Sequence, residues 1–145
     1  MMKKFLKSLS ANDVGSTGAH MGGILIPKGD RELLAFLPHL DPNEYNPSEW
    51  ITCVTPDGRE LRLRYVYYNN RLHKPKGTRN EYRITHLTKY FKTEGAKEGD
   101  TFEISKESGG THYRINVVKA DQEPDEPIDE GPVRIKITAG WRRAH

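Results

Sequence analysis

The chain has a single cysteine, Cys53, in 145 residues. That excludes an internal disulfide and any Cys-x-x-Cys metal pair. Cys53 is expected to serve as a small buried hydrophobe. No apolar run approaches the ~18 residues of a membrane-crossing helix. The opening Met1–Lys7 carries lysines but no apolar segment of a secretion signal. No membrane partner is expected, and the compartment implied is cytoplasmic. Apolar residues are few, at 34%, and charged residues many, at 30%. With 13 glycines and 9 prolines, the chain is broken too often for a long helical bundle. One small, mainly β (α+β) domain with a thick polar shell is expected.

Catalytic patterns are missing as well. Gly15, Gly18, Gly22 and Gly23 lack the lysine and the helix of a phosphate loop. Glu103-Ile104-Ser105-Lys106 is one residue too long for the E-x-K of a carboxylate-and-lysine nuclease. On a strand its Glu and Lys would point to opposite faces. The histidines (His20, His39, His73, His86, His112, His145) form no HxxxH or HExxH pair. No GxSxG occurs. The chain is therefore not expected to be an enzyme: no catalytic residue, metal ligand or cofactor is implied.

What is present is positive charge, unevenly placed. The net charge is +3. Residues 59–92 hold ten bases and two acids, a local +8. Such a field attracts polyanions. Residues 121–145 carry four bases against six acids.

Punctuation divides the chain into strands. Residues 3–10 suit a leading strand, and Gly23–Lys28 a short one closed by Pro27. Asp30 can cap a short helix bearing Leu33, Leu34 and Leu37, which Pro38 ends. Pro56-Asp57-Gly58 between ITCV and ELRLRYVYY marks a hairpin. In its second strand Leu61, Leu63, Tyr65 and Tyr67 share one face, and Arg62 and Arg64 the other. Residues 84–92 suit another strand. Ser108-Gly109-Gly110-Thr111 turns a second hairpin, between TFEISKE and HYRINVVK. Residues 1–120 thus form the domain. Residues 121–132 read as an acidic, proline-rich linker. Residues 133–145 form a terminal strand (133–138) and tail, with Trp141 as a candidate anchor.

Two loops are long and polar. The first, about 7–20, offers Lys7, Asn12 and His20, with glycines that let backbone approach phosphates. The second, about 69–83, offers Arg71, Lys74, Lys76, Arg79, Asn80, Glu81 and Arg83, together with Asn69 and Asn70. Arginine forks match guanine, asparagine matches adenine, and a carboxylate can accept from cytosine. Glu81 inside a basic loop has two explanations. It reads bases, or it forms a salt bridge that aims Arg79 or Arg83.

Residues 8–27, SLSANDVGSTGAHMGGILIP, and residues 67–85, YYNNRLHKPKGTRNEYRIT, carry a specific resemblance. Both blocks are similar to the amino-terminal effector-binding domain of the EcoRII restriction endonuclease family, with S-A-N-D-x-G-x-T-G-x-H and Y-Y-N-x-R…G-K-T-R-N-E-x-R-I-T. The resemblance spans most of residues 5–118. It implies an open seven-stranded β pseudobarrel of the B3 type with one or two short helices. It also implies two arms, about 7–20 and 69–83, that grip the major groove of double-stranded DNA sequence-specifically. Arg71, Glu81 and Arg83 would read bases, and Lys7, Lys74 and Lys76 would clamp phosphates. The chain departs from the family pattern at Tyr82, where a basic residue is usual, and by one extra residue after Arg71. The family's cleavage domain has no counterpart after residue 120. Two settings follow: a free-standing reader, favoured by the Met1-Met2 start and the distinct tail, or the recognition part of a type II restriction endonuclease whose nuclease domain or subunit is separate. A protein-interaction module is the weaker alternative.

Overall fold

The computed structural model describes residues 2–14, 23–120 and 141–144. Its strands are β1 (Met2–Ser8), β2 (Ile24–Ile26), β3 (Ser48–Val54), β4 (Glu60–Tyr68), β5 (Glu81–Thr85), β6 (Thr101–Glu107), β7 (Tyr113–Val118) and β8 (Trp141–Ala144). Three short helices join them: α1 (Arg31–Phe36), α2 (Asn70–His73) and α3 (Thr88–Glu94). The strands form one eight-stranded sheet in the order β2-β5-β4-β3-β7-β6-β1-β8. Neighbours are antiparallel except β3 and β7. The sheet curls around one core. The mainly β pseudobarrel expected from the sequence is present, with one strand more than the seven anticipated. The acidic linker over 121–132 and the strand expected over 133–138 lie outside the described residues.

Local chemistry accounts for the elements. In β4, Leu63, Tyr65 and Tyr67 are buried while Arg62 stays exposed, as period-two alternation requires. The Pro56-Asp57-Gly58 turn closes with Thr55 N–H donating to the Arg59 carbonyl at 2.9 Å. Gly58 takes a φ of 89°, which only glycine adopts freely. The second hairpin closes with Gly110 N–H on the Glu107 carbonyl at 2.8 Å. Asp30 caps α1 by accepting from Leu33 N–H at 3.1 Å.

One element differs from expectation. Residues 84–92 are not a strand: β5 ends at Thr85, His86 takes a φ of 71°, and α3 begins at Thr88. The buried positions Ile84, Leu87, Tyr90 and Phe91 recur every three or four residues. That is a helical period, and it outweighs the β-branched Ile84, Thr85 and Thr88. Gly95 ends α3 in the left-handed conformation, its N–H bonding back to Lys92 and Phe91 carbonyls.

The core is aromatic at one end. Phe5 of β1 packs on Phe36 of α1 at 4.9 Å, and Phe36 meets Tyr113 of β7 edge-on at 5.2 Å. The Tyr113 hydroxyl donates to the Phe36 carbonyl at 2.8 Å, so the ring is buried with its polar tip satisfied. These contacts set α1 against the sheet and fix the chain leaving β2.

Candidate nucleic-acid interface

The second loop is a compact, internally bonded arm. It leaves β4 at Asn69, makes one turn of α2 and rejoins the sheet at Glu81. Asn69 is fully buried and works as its anchor. Its N–H donates to Asn46 Oδ1, its Oδ1 accepts from Asn46 N–H at 2.7 Å, and its Nδ2 donates to the Pro42 and Glu44 carbonyls. The base-reading part expected of Asn69 is thereby excluded: its side chain is spent on the loop beside the arm. Asn70 accepts from Arg79 N–H at 2.8 Å, and Arg71 N–H donates to the Arg79 carbonyl at 3.0 Å. The two limbs of the arm are so laced together.

Three charged side chains meet where the arm returns to the sheet. Arg83 donates through Nε to Glu81, and Arg79 donates to the same Glu81 oxygen at 3.1 Å. The Arg79 guanidinium also lies 3.9 Å from the centre of the Tyr68 ring. Of the two explanations for Glu81, the structure shows the salt bridge, made to both arginines at once. Burial alone would raise the Glu81 carboxyl. Hydrogen bonds from Arg83 and Arg79, and their charges, outweigh burial and hold it below the ordinary carboxylate value. Arg83 further donates to the Gly23 carbonyl at 2.9 Å, at the far end of the first loop.

Other expected residues fall into distinct places. Arg71, Lys74 and Lys76 are exposed, and none meets a carboxylate among the described residues. Lys74 lies 5.1 Å from the Tyr45 ring. Asn80 accepts from the Tyr67 hydroxyl. Tyr82, the departure from the family pattern, stacks on Tyr67 at 4.2 Å and 6°. Its ring extends the core, so a charge at this position would face an aromatic stack.

The first loop begins as a rigid turn. Lys7 is buried and pairs with Asp13 at 2.6 Å. Asp13 also accepts from Ser10 N–H at 3.0 Å, and Ser10 Oγ accepts from Asp13 N–H at 3.1 Å. Lys7 is therefore engaged inside the protein rather than held out to solvent. Asn12 is exposed on this turn. His20 and the rest of the first arm, residues 15–20, lie outside the described residues.

Sequence reasoning missed Tyr68, Gly23 and the buried Lys7–Asp13 pair. The S-A-N-D spacing, with Ser and Asp three apart, was the available signal for the turn. Among the described residues no three His, Cys, Asp or Glu side chains gather into a metal-binding group.

Comparisons with known proteins bear on family and fold. Residues 1–121 match the family described as restriction endonuclease EcoRII, N-terminal. The type II restriction enzyme EcoRII of Escherichia coli is 35% identical over 134 residues, covering 87% of this chain and 32% of the enzyme. The chain thus spans about a third of that relative's length. Two solved structures share the fold. The Arabidopsis FUS3–DNA complex matches with a TM-score of 0.59 and 22% identity, over 79% of this chain and 95% of FUS3. The B3 domain of the UbaLAI restriction endonuclease with cognate DNA matches at 0.52 and 21%, over 82% and 69%. By the span of the family match, this chain belongs to the restriction endonuclease EcoRII N-terminal family, and its fold is B3-like.

Proposed function

We propose that this chain is a sequence-specific double-stranded DNA-binding domain that reads the major groove with two arms and has no nuclease site of its own. The observation that carries the reading is the Arg79–Glu81–Arg83 cluster beside the exposed Arg71, Lys74 and Lys76. A carboxylate that holds two arginines in fixed forks favours base recognition over loose phosphate attraction. Arg83, Arg79 and Arg71 are the base readers, and Glu81 aims the first two through its salt bridges. Lys74 and Lys76 are the phosphate contacts, and Asn12 and His20 the first-arm contacts. Lys7 supports the first arm from beneath through Asp13. The fold relatives FUS3 and UbaLAI are both described in complex with DNA, which supports the same partner here.

A second setting is supported by the partial coverage of EcoRII. The chain serves as the recognition portion of a restriction system whose nuclease domain or subunit is separate. One experiment tests the main reading. Fluorescence anisotropy at near-physiological salt would compare a CCWGG duplex, suggested by the family resemblance, with its methylated form and scrambled controls. A preference above about tenfold, or ~1.4 kcal/mol, is expected for one duplex. Equal, salt-erased binding to all would overturn sequence-specific recognition. Reproducible plasmid nicking with magnesium, surviving repurification, would overturn the non-nuclease reading.

A further inference from the structure

The sheet order ends at β2 on one side and β8 on the other, and Trp141 joins those two ends. Through its backbone Trp141 pairs with Lys7 of β1. Its indole N–H donates to the Leu25 carbonyl of β2 at 2.9 Å. Its ring packs edge-on against Phe102 at 6.2 Å and 81°. Two residues on, Arg143 forms an ion pair with Glu32 of α1. β2 runs almost directly into α1, so β8 grips that unit at Leu25 and at Glu32.

The unit it grips aims Arg83. Leu25 is the register partner of Arg83, and β2 is only three residues long. Two residues before Leu25, the Gly23 carbonyl accepts from the Arg83 guanidinium. A shift of β2 would carry that acceptor with it. A Cβ at Gly23 would sit 2.3 Å from the Ile84 carbonyl oxygen, so backbone meets backbone closely here. Small displacements of β2 are therefore transmitted to β5.

We infer that Trp141 is a positioning residue for Arg83: the terminal strand, which lies beyond the segment matched by the family, sets the direction of the guanidinium at the arm's base. The link to specificity rests on the reading of Arg83 as a base reader; the positioning itself does not.

The test uses the full chain. Trp141→Phe keeps an aromatic ring and removes the N–H donor. The Arg83 Nε–Hε NMR signal, assigned by its loss in Arg83→Ala, reports position without DNA. Anisotropy reports discrimination between the duplex preferred by the wild type and its scrambled control. The expected result is a moved Arg83 signal and discrimination reduced about fivefold, as for one lost hydrogen bond, with binding to the scrambled duplex unchanged. Arg143→Ala, which frees Glu32 and leaves Trp141 intact, should move the same signal less. It carries the test if Trp141→Phe does not fold. If both variants leave the signal and the discrimination unchanged while Tm falls, Trp141 merely stabilises the barrel and the inference is overturned. If the signal moves but the wild type discriminates among no duplexes, positioning stands and the base-reading role of Arg83 fails.

Discussion

Arg83 donates to the carbonyl of Gly23 at 2.9 Å, across sixty residues of chain. Its Nε meanwhile holds Glu81. One guanidinium thus fastens the end of the first loop to the root of the second. Among the described residues the other N–H donors of its fork meet no acceptor.

Replacing that fork should therefore damage recognition more than folding. Arg83→Ala is expected to cost about 1–3 kcal/mol on the preferred duplex and to blur specificity. Arg83→Lys should not rescue it, because one ammonium cannot serve Gly23, Glu81 and a base edge together. Anisotropy on matched and mismatched duplexes checks both. Equal losses on every duplex would show Arg83 to be a phosphate contact.

Gly77 is the position where the arm is tightest. A Cβ there would lie 2.1 Å from the Asn70 carbonyl oxygen and 2.7 Å from Arg71 N. Gly77→Ala must pull the two limbs of the arm apart. Binding should fall by roughly tenfold, ~1.4 kcal/mol. Calorimetric Tm should change little, because residue 77 lies outside the core. Unaltered affinity would mean that the folded arm is not what DNA sees.

Lys74 and Lys76 make a contrasting pair with Arg83. Removing both by Lys→Ala should weaken every duplex alike. The slope of log affinity against log salt should become shallower by about two, at roughly 0.9 for each phosphate no longer neutralised. A salt series on one preferred and one scrambled duplex measures this. An unchanged slope would place both lysines away from the backbone.

Acid should loosen the arm's base. Folding lowers the Glu81 pKa, so the folded chain binds fewer protons there than the unfolded one. The resulting stabilisation is complete above the unfolded value of about 4.3 and is lost as pH falls through the folded value. The Glu81 Cδ signal should titrate below free glutamate, and the amides of Arg79 to Arg83 should shift with it. A midpoint at or above the free value would mean that the two-arginine clamp is absent in solution.

Cys53 is wholly buried, and burial pushes its thiol up to about 12. It should resist a thiol reagent at pH 8 in the folded protein. On denaturation it should react at once, with a pKa near the ordinary ~8.5. Prompt labelling of the native chain would contradict the packing around β3.

The strands were legible where alternation or a turn spelled them out. Leu61, Leu63, Tyr65 and Tyr67 announced a one-sided strand, and Pro56-Asp57-Gly58 announced its hairpin. The segment from Ile84 to Lys92 misled because its β-branched residues favour strand locally, whereas its buried positions follow a helical period. At the site, charge and residue type pointed to the second arm, and Glu81 divided into two readings that only geometry could separate. Asn69 and Lys7 looked like ligand-facing groups. Asn69 meets Asn46 across 23 residues, where no local pattern operates, whereas Asp13 reaches Lys7 through a turn that the S-A-N-D spacing signals but whose lysine partner it does not name. Trp141 meets Leu25 across 116 residues, a distance over which no spacing rule operates.

The closing of the sheet by β1 has a bearing on how the chain folds. β1 lies between β6 and β8. Among the described residues β1 therefore has no partner strand until residue 101 has been made. At about 5–20 residues per second that wait lasts several seconds or more. From Lys4 to Ser8 half-buried positions alternate with buried Phe5 and Lys7, and the apolar Phe5 must stay soluble meanwhile. Lys3, Lys4 and Lys7 supply a charge that discourages premature pairing with other nascent chains. The long sequence separation also predicts slow, late docking of β1 compared with the two local hairpins.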